Sequence, residues 1–117
     1  MEIKQRDVVL CEFYFSDIKN TKKRPVLVFK DNLPYNDFVG IPISSKIEKL
    51  KDDEIIIKTD DFQDGGIVKT SKLMIRKTFI VSKNVIVKKY GAIKSDSFIK
   101  YHNSFCKYFG CIAWLFI

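Results

Sequence analysis

One histidine, His102, and three cysteines, Cys11, Cys106 and Cys111, are all the imidazole and thiol donors the chain has. A structural zinc site wants four clustered ligands, and no Cys-x-x-Cys spacing occurs, so neither a metal nor another cofactor is expected. An odd number of cysteines among apolar neighbours predicts buried, reduced thiols and not a disulfide framework. Long apolar runs are absent too. Residues 1–7 are polar and charged, which predicts no secretory signal, and the apolar tail Cys111–Ile117 is far shorter than the ~20 residues a spanning helix needs. A cytoplasmic protein is the expectation. No repeat, low-complexity block or linker-like segment divides the 117 residues, so one domain is expected over 1–110, with 111–117 as its tail.

Acidic residues are also missing from one long segment. From Gly65 to Ser95 there are none, while Lys69, Lys72, Arg76, Lys77, Lys83, Lys88, Lys89 and Lys94 all fall there. Asp52, Asp53, Glu54, Asp60, Asp61 and Asp64 gather just before it. Within a net charge of +7, such segregation produces a surface that attracts a polyanion, although alone it equally describes a solvated lysine-rich face.

What is present reads mainly as β-structure. Asp7–Phe15 alternates Val9, Cys11, Phe13 and Phe15 against Val8, Leu10, Glu12 and Tyr14, the period of a strand. Polar residues 16–23 predict a flexible basic loop before a second strand at 25–29, and Pro25, which lacks an N–H, should open that strand. A turn at 31–37 precedes a third strand at 38–43, and a loop at 44–53 precedes a fourth at 54–58. Gly65-Gly66 predicts a turn, with strand-like runs at 72–81 and 85–93. Short strands so spaced predict a small barrel. The one helix, 95–109, should start on Ser95 as N-cap with Asp96 in its first turn and end at Gly110. Phe98, His102, Phe105 and Phe109 fall on one stripe, which predicts core packing and a partly buried, non-catalytic His102.

Three blocks in this order, DVVLCEFYFSD (7–17), KKRPVLVF (22–29) and VGIPISSK (39–46), resemble the PemK/MazF family of toxin endoribonucleases, and 65–93 resembles the family's later strands. Arg6 stands where the family commonly has glycine, and the apolar tail is longer than expected. The resemblance implies an SH3-like barrel with a C-terminal helix, usually a homodimer, which cuts single-stranded RNA without a metal and is silenced by an acidic antitoxin. It implies catalysis by Arg24 and by a hydroxyl at Ser44, with Ser45 next door as the alternative. Lys22 and Lys23 flank that site, and the resemblance places Lys46, Ser71, Lys72 and Arg76 along the RNA groove.

The chemistry suits these residues. When a 2′-hydroxyl attacks its own phosphate, charge builds on the phosphoryl oxygens, and a guanidinium offers a permanent charge in a planar fork matching them. A serine hydroxyl can hold a non-bridging oxygen in line. Phe15 or Tyr14 is placed to stack an unpaired base, and Asp17 and Glu48 are nearby carboxylates for the open role of general base. Taken singly, Arg24 is equally a surface-loop arginine and Ser44 a turn hydroxyl. Two other functions stay open on the sequence: a CcdB-like gyrase poison, for which Trp114 and Ile117 in the tail speak, and a non-catalytic RNA-binding barrel.

Overall fold

β-branched and aromatic residues dominate Asp7–Tyr14 (β1), and the alternation there is real but two-sided: Val8 faces one apolar cluster, Val9 and Cys11 another, all fully buried. A strand buried on both faces belongs in the middle of a sheet. The computed structural model describes residues 2–14 and 21–111, and within them β1 lies between Thr21–Leu33 (β2) and Ile86–Ile93 (β8), antiparallel to both. The other strands are Asp37–Ser44 (β3), Glu54–Ile57 (β4), Phe62–Gly65 (β5), Ser71–Met74 (β6) and Phe79–Ser82 (β7), followed by the helix Ser95–Phe109 (α1). The sheet order is β4-β6-β3-β2-β1-β8-β5, with β7 also pairing to β3. Register shifts interrupt the β1–β8 and β2–β3 ladders, and such bulges bend a sheet. The outcome is a curled antiparallel half-barrel, mainly β with one C-terminal helix, as expected.

The helix covers one face. Phe98 and Tyr101 join Val8, Leu27, Ile41, Ile43 and Leu73 in the larger cluster, each such side chain contributing about 1.5–3 kcal/mol by leaving water. On the opposite face Ile3, Val9, Val26, Val28 and Phe38 are closed over by Phe79 and Val81 of β7.

Several expectations are corrected. Pro25 does not open its strand; it is the fifth residue of β2, opposite Leu10. Residues 21–25 pair with β1 alone, and β3 joins only from Val26, so the proline sits where a missing ladder donor is tolerated. The run 72–81 divides into β6, a 3-10 turn at Ile75–Lys77, and β7, while β5 gave no signal in its FQDG sequence. The helix starts one residue earlier than a Ser95 cap requires. Lys94 is the N-cap and has no side-chain cap bond, because tertiary bonds hold this end: Lys94 N–H donates to Asp61 O (2.8 Å), Ser97 Oγ to Asp61 Oδ1 (2.9 Å) and Arg6 Nη1 to Ser95 Oγ. Of the aromatic stripe, Phe98 is buried, but Phe109 is half-exposed, and His102 is exposed with its ring stacked on Phe29 at 5.6 Å. Only Cys11 of the three thiols is buried; Cys106 is intermediate and Cys111 exposed at the helix end.

Arg6 has φ +82°, a left-handed conformation that glycine adopts without strain and other residues rarely adopt. Here the turn is held by bonds: Arg6 N–H donates to Val28 O (2.9 Å) and Ile93 N–H donates to Arg6 O (2.8 Å).

Candidate nucleic-acid interface

Register brings the two principal residues to one rim. The β2–β3 ladder runs outward through Val28↔Gly40, Leu27↔Ile41 and Val26↔Pro42. The ladder ends there; Arg24 and Ser44 each lie two residues beyond this pair, Arg24 paired with Cys11 of β1 and Ser44 with Lys72 of β6. Both have the parity of Val26 and Pro42, so they share the sheet face opposite the helix. Arg24 is exposed, pairs in register with Cys11, and has no side-chain partner among the described residues. Its guanidinium is available to a ligand.

Ser44, the last residue of β3, accepts a hydrogen bond at Oγ from Lys46 N–H (3.2 Å). This is the turn hydroxyl anticipated as the plain alternative, and it leaves the O–H proton free to donate while fixing where the oxygen sits. Ser45 and Lys46 follow, both exposed. Lys22 and Lys23 are exposed on β2 beside Arg24.

Lys72 is placed differently from the other cations. It pairs with Ser44 in register, but its side chain is only 10% exposed, and Nζ donates to Glu54 Oε1 (2.9 Å) and Lys49 O (3.4 Å). Glu54, 6% exposed, also accepts from Lys51 N–H (2.8 Å). Burial pushes the Glu54 carboxyl up, but the bonds from the Lys51 amide and the Lys72 ammonium outweigh it and hold the group below the usual carboxylate range. The pair thus pins the 45–53 loop to β6 beneath Ser44. A second tether lies at the loop's end, where buried Asp53 accepts from Arg76 N–H (3.3 Å), with Arg76 Nε 4.0 Å away and half of that side chain in solvent. Ser71 is buried and donates to Lys69 O (2.9 Å).

A cleft of about 190 Å³ opens beside this rim. Its walls include Pro25 and Ser45, the residues that follow Arg24 and Ser44 in the chain. The rest comes from the loop Ile67–Lys69 with Ser71 and Tyr90. Of these, Ser45 and Ser71 were anticipated, whereas Ile67, Val68, Lys69 and Tyr90 were not, and neither was Glu54. The Gly65-Gly66 pair was the one available hint, since it marks where that loop leaves β5. Phe15 and Asp17, like Trp114 and Ile117, lie outside the described residues, and Glu48 is exposed on the 45–53 loop. Among the described residues no three His, Cys, Asp or Glu side chains converge as a metal site.

The arrangement defines a class: a small β half-barrel closed by a C-terminal helix, with an exposed arginine that has no side-chain partner among the described residues and a turn-held hydroxyl on one cationic rim. Residues 4–109 match the family described as PemK-like, MazF-like toxin of type II toxin-antitoxin system, and the chain belongs to that family. Among curated proteins none matches the sequence. Solved structures share the fold at low identity. An endoribonuclease in complex with its cognate antitoxin from a mycobacterial species is 11% identical, with 96% of this chain and 99% of that chain covered and a TM-score of 0.73. The Mycobacterium tuberculosis toxin MazF-mt6 is 15% identical over 93% of this chain and 100% of that one, with a TM-score of 0.69. A chain of the MazE-MazF complex from Deinococcus radiodurans is 11% identical over 94% and 97%, with a TM-score of 0.76.

Proposed function

We propose that this chain is a cytoplasmic toxin that cuts single-stranded RNA, at a preferred sequence, by metal-independent transesterification. The observation that supports the reading is that adjacent strands β2 and β3 carry Arg24 and Ser44 two residues beyond their last pair, Val26↔Pro42, with the arginine exposed and without a side-chain partner among the described residues. A phosphodiester seated there has both donors it needs. The 2′-oxygen forms a bond to phosphorus as the bond to the 5′-oxygen breaks, leaving a 2′,3′-cyclic phosphate and a 5′-hydroxyl. The proton lost by the 2′-hydroxyl is matched by one gained at the 5′-oxygen. Arg24 stabilises the charge that grows on the non-bridging oxygens, and Ser44, its oxygen already fixed by Lys46 N–H, donates to one of them.

Exposed Lys22, Lys23 and Lys46, with Arg76, grip flanking phosphates, and each such contact makes binding more salt-sensitive. Lys72 serves differently from the groove contact first expected: paired with Glu54, it holds the loop after Ser44. Family membership, with the antitoxin complexes among structural neighbours, supports a homodimer silenced by an acidic antitoxin peptide that competes for the same cationic rim.

The test is incubation of purified protein with a long single-stranded RNA in EDTA, comparing wild type with Arg24→Ala and mapping the ends. Discrete cuts bearing cyclic phosphates, lost in the variant, are expected. Intact RNA that is nevertheless bound would refute catalysis and leave a binding module.

A further inference from the structure

We propose that Cys106 and Cys111 form a reversible dithiol–disulfide site at the C-terminal end of α1, oxidised by a low-molecular-weight disulfide of the glutathione class. The pair is made by the way the helix ends. Gly110, at φ +72°, turns the chain back so that Cys111 N–H donates to Cys106 O (2.9 Å), the bond that closes a Schellman cap. Such a cap commonly brings the side chains of these two positions into contact. The same bond limits the gap to be bridged. With ordinary covalent geometry it leaves the two Cα atoms no more than about 6.8 Å apart, and a disulfide spans ~4.4–6.8 Å.

The two thiols have different roles. Cys111 is exposed, so a dissolved disulfide meets it first. Cys106 is partly covered, and the Cys111 thiol hydrogen-bonded to it, then burial, push it up to about 11. Little thiolate forms at that sulfur near neutral pH, which makes Cys106 a poor first attacker. It suits the second, intramolecular attack, where proximity replaces reactivity. One helical turn back, His102 Nδ1 lies 4.0 Å from Cys106 Sγ, and the imidazole is stacked on Phe29 at 5.6 Å. A neutral ring with its lone pair on Nδ1 can take the proton that Cys106 must lose.

The chemistry is thiol–disulfide exchange in two steps. Cys111 gives its proton to water and its sulfur bonds to one sulfur of the dissolved disulfide, whose S–S bond breaks and releases one small thiolate. Cys106 then passes its proton to His102 as its sulfur bonds to Cys111 Sγ, and the second small thiolate leaves. Both thiolates are reprotonated, one from solvent and one from His102. Two protein thiols are oxidised and the small disulfide is reduced to two thiols. Cys11, fully buried in β1, takes no part. In a reducing compartment the pair rests as the dithiol, and its exposure keeps the disulfide open to reversal by the same small thiol.

The experiment treats the full chain with oxidised glutathione and follows intact mass and peptide maps over time, with wild type beside Cys106→Ser, Cys111→Ser and His102→Gln. Wild type is expected to lose two hydrogens and to yield a 106–111 crosslink within one chain, reversed by reduced glutathione. Cys11 should stay unmodified throughout, which reports that the fold is intact. Cys106→Ser should stop as a glutathione adduct on Cys111, and Cys111→Ser should react roughly tenfold more slowly than wild type. His102→Gln should still crosslink, but its adduct should resolve severalfold more slowly at pH 7, with the deficit narrowing by pH 9 as hydroxide supplies the base. Wild type that halts at the glutathione adduct, or that crosslinks only between chains, overturns the site. Resolution at the wild-type rate in His102→Gln at pH 7 overturns the role given to the imidazole.

Discussion

Replacing Lys72 by Met leaves Glu54 buried without its cation. Both side chains are at most a tenth exposed and meet at 2.9 Å, so the change leaves a carboxylate with little water contact and no cation. Removing one partner of a buried pair costs about 3–5 kcal/mol, whereas replacing both with apolar residues of similar size is often neutral. At this chain length a kcal/mol corresponds to about 4 °C in Tm, so Lys72→Met should melt about 12–20 °C below wild type at pH 7. Lys72→Met/Glu54→Leu should regain at least half of that. The pH dependence has a definite sign. Glu54 in the folded chain is held below its usual value, so the unfolded chain binds its proton first, and stability rises with pH across that window. The contribution is complete above the ordinary carboxylate range of about 4–5 and is lost as pH falls through the folded value. Circular-dichroism melts from pH 3 to 7 should therefore show a steeper acid loss in wild type than in the double variant. Equal stability of the single and double variants, or identical acid slopes, would refute the clamp.

Ser44→Ala should cut RNA roughly 10²-fold more slowly, and Ser44→Thr should keep most of the activity because the hydroxyl is retained; single-turnover rates measure both. Arg24→Ala should lose at least as much while its urea midpoint moves little, since an exposed surface side chain contributes within about 0.5 kcal/mol to stability. Gly65→Ala should lose more than about 2 kcal/mol in urea, because φ +67° disfavours any Cβ and this one would meet Tyr90 O at 2.1 Å. Thiol labelling at pH 8 should modify Cys111 first in the native protein. Burial pushes Cys11 up to about 12, and the Cys111 thiol beside it, then burial, push Cys106 up to about 11, so labelling of Cys11 as fast as Cys111 would contradict the packing of β1.

What was legible in the sequence was local. The period-two alternation of DVVLCEFY, the end of the helix at Gly110 and the acid-free stretch from Gly65 to Ser95 depend on neighbours along the chain, and each survives in the fold. The PemK/MazF likeness was legible for the same reason, since it rests on short ordered blocks. Partnerships across the fold were not legible. Lys72 and Lys46 are the same residue type in the same basic context, but one is locked to Glu54, 18 residues away in sequence, and the other is in solvent, because β4 pairs with β6 and brings that carboxylate beneath Ser44. β5 escaped notice because FQDG has no strand character of its own; β8 pairs with it and two glycines let the backbones touch. The sequence by itself determined that the segments around 7–14, 25–29 and 38–43 extend, where the helix ends and which stretch of chain carries positive charge. Only tertiary structure decided that Lys72 is buried while Lys46 is in solvent, that Arg24 and Ser44 lie just beyond the same end of the β2–β3 ladder, and that segments near positions 25, 45, 68 and 90 enclose one cleft, because strand register and long-range packing set distances that no local pattern encodes.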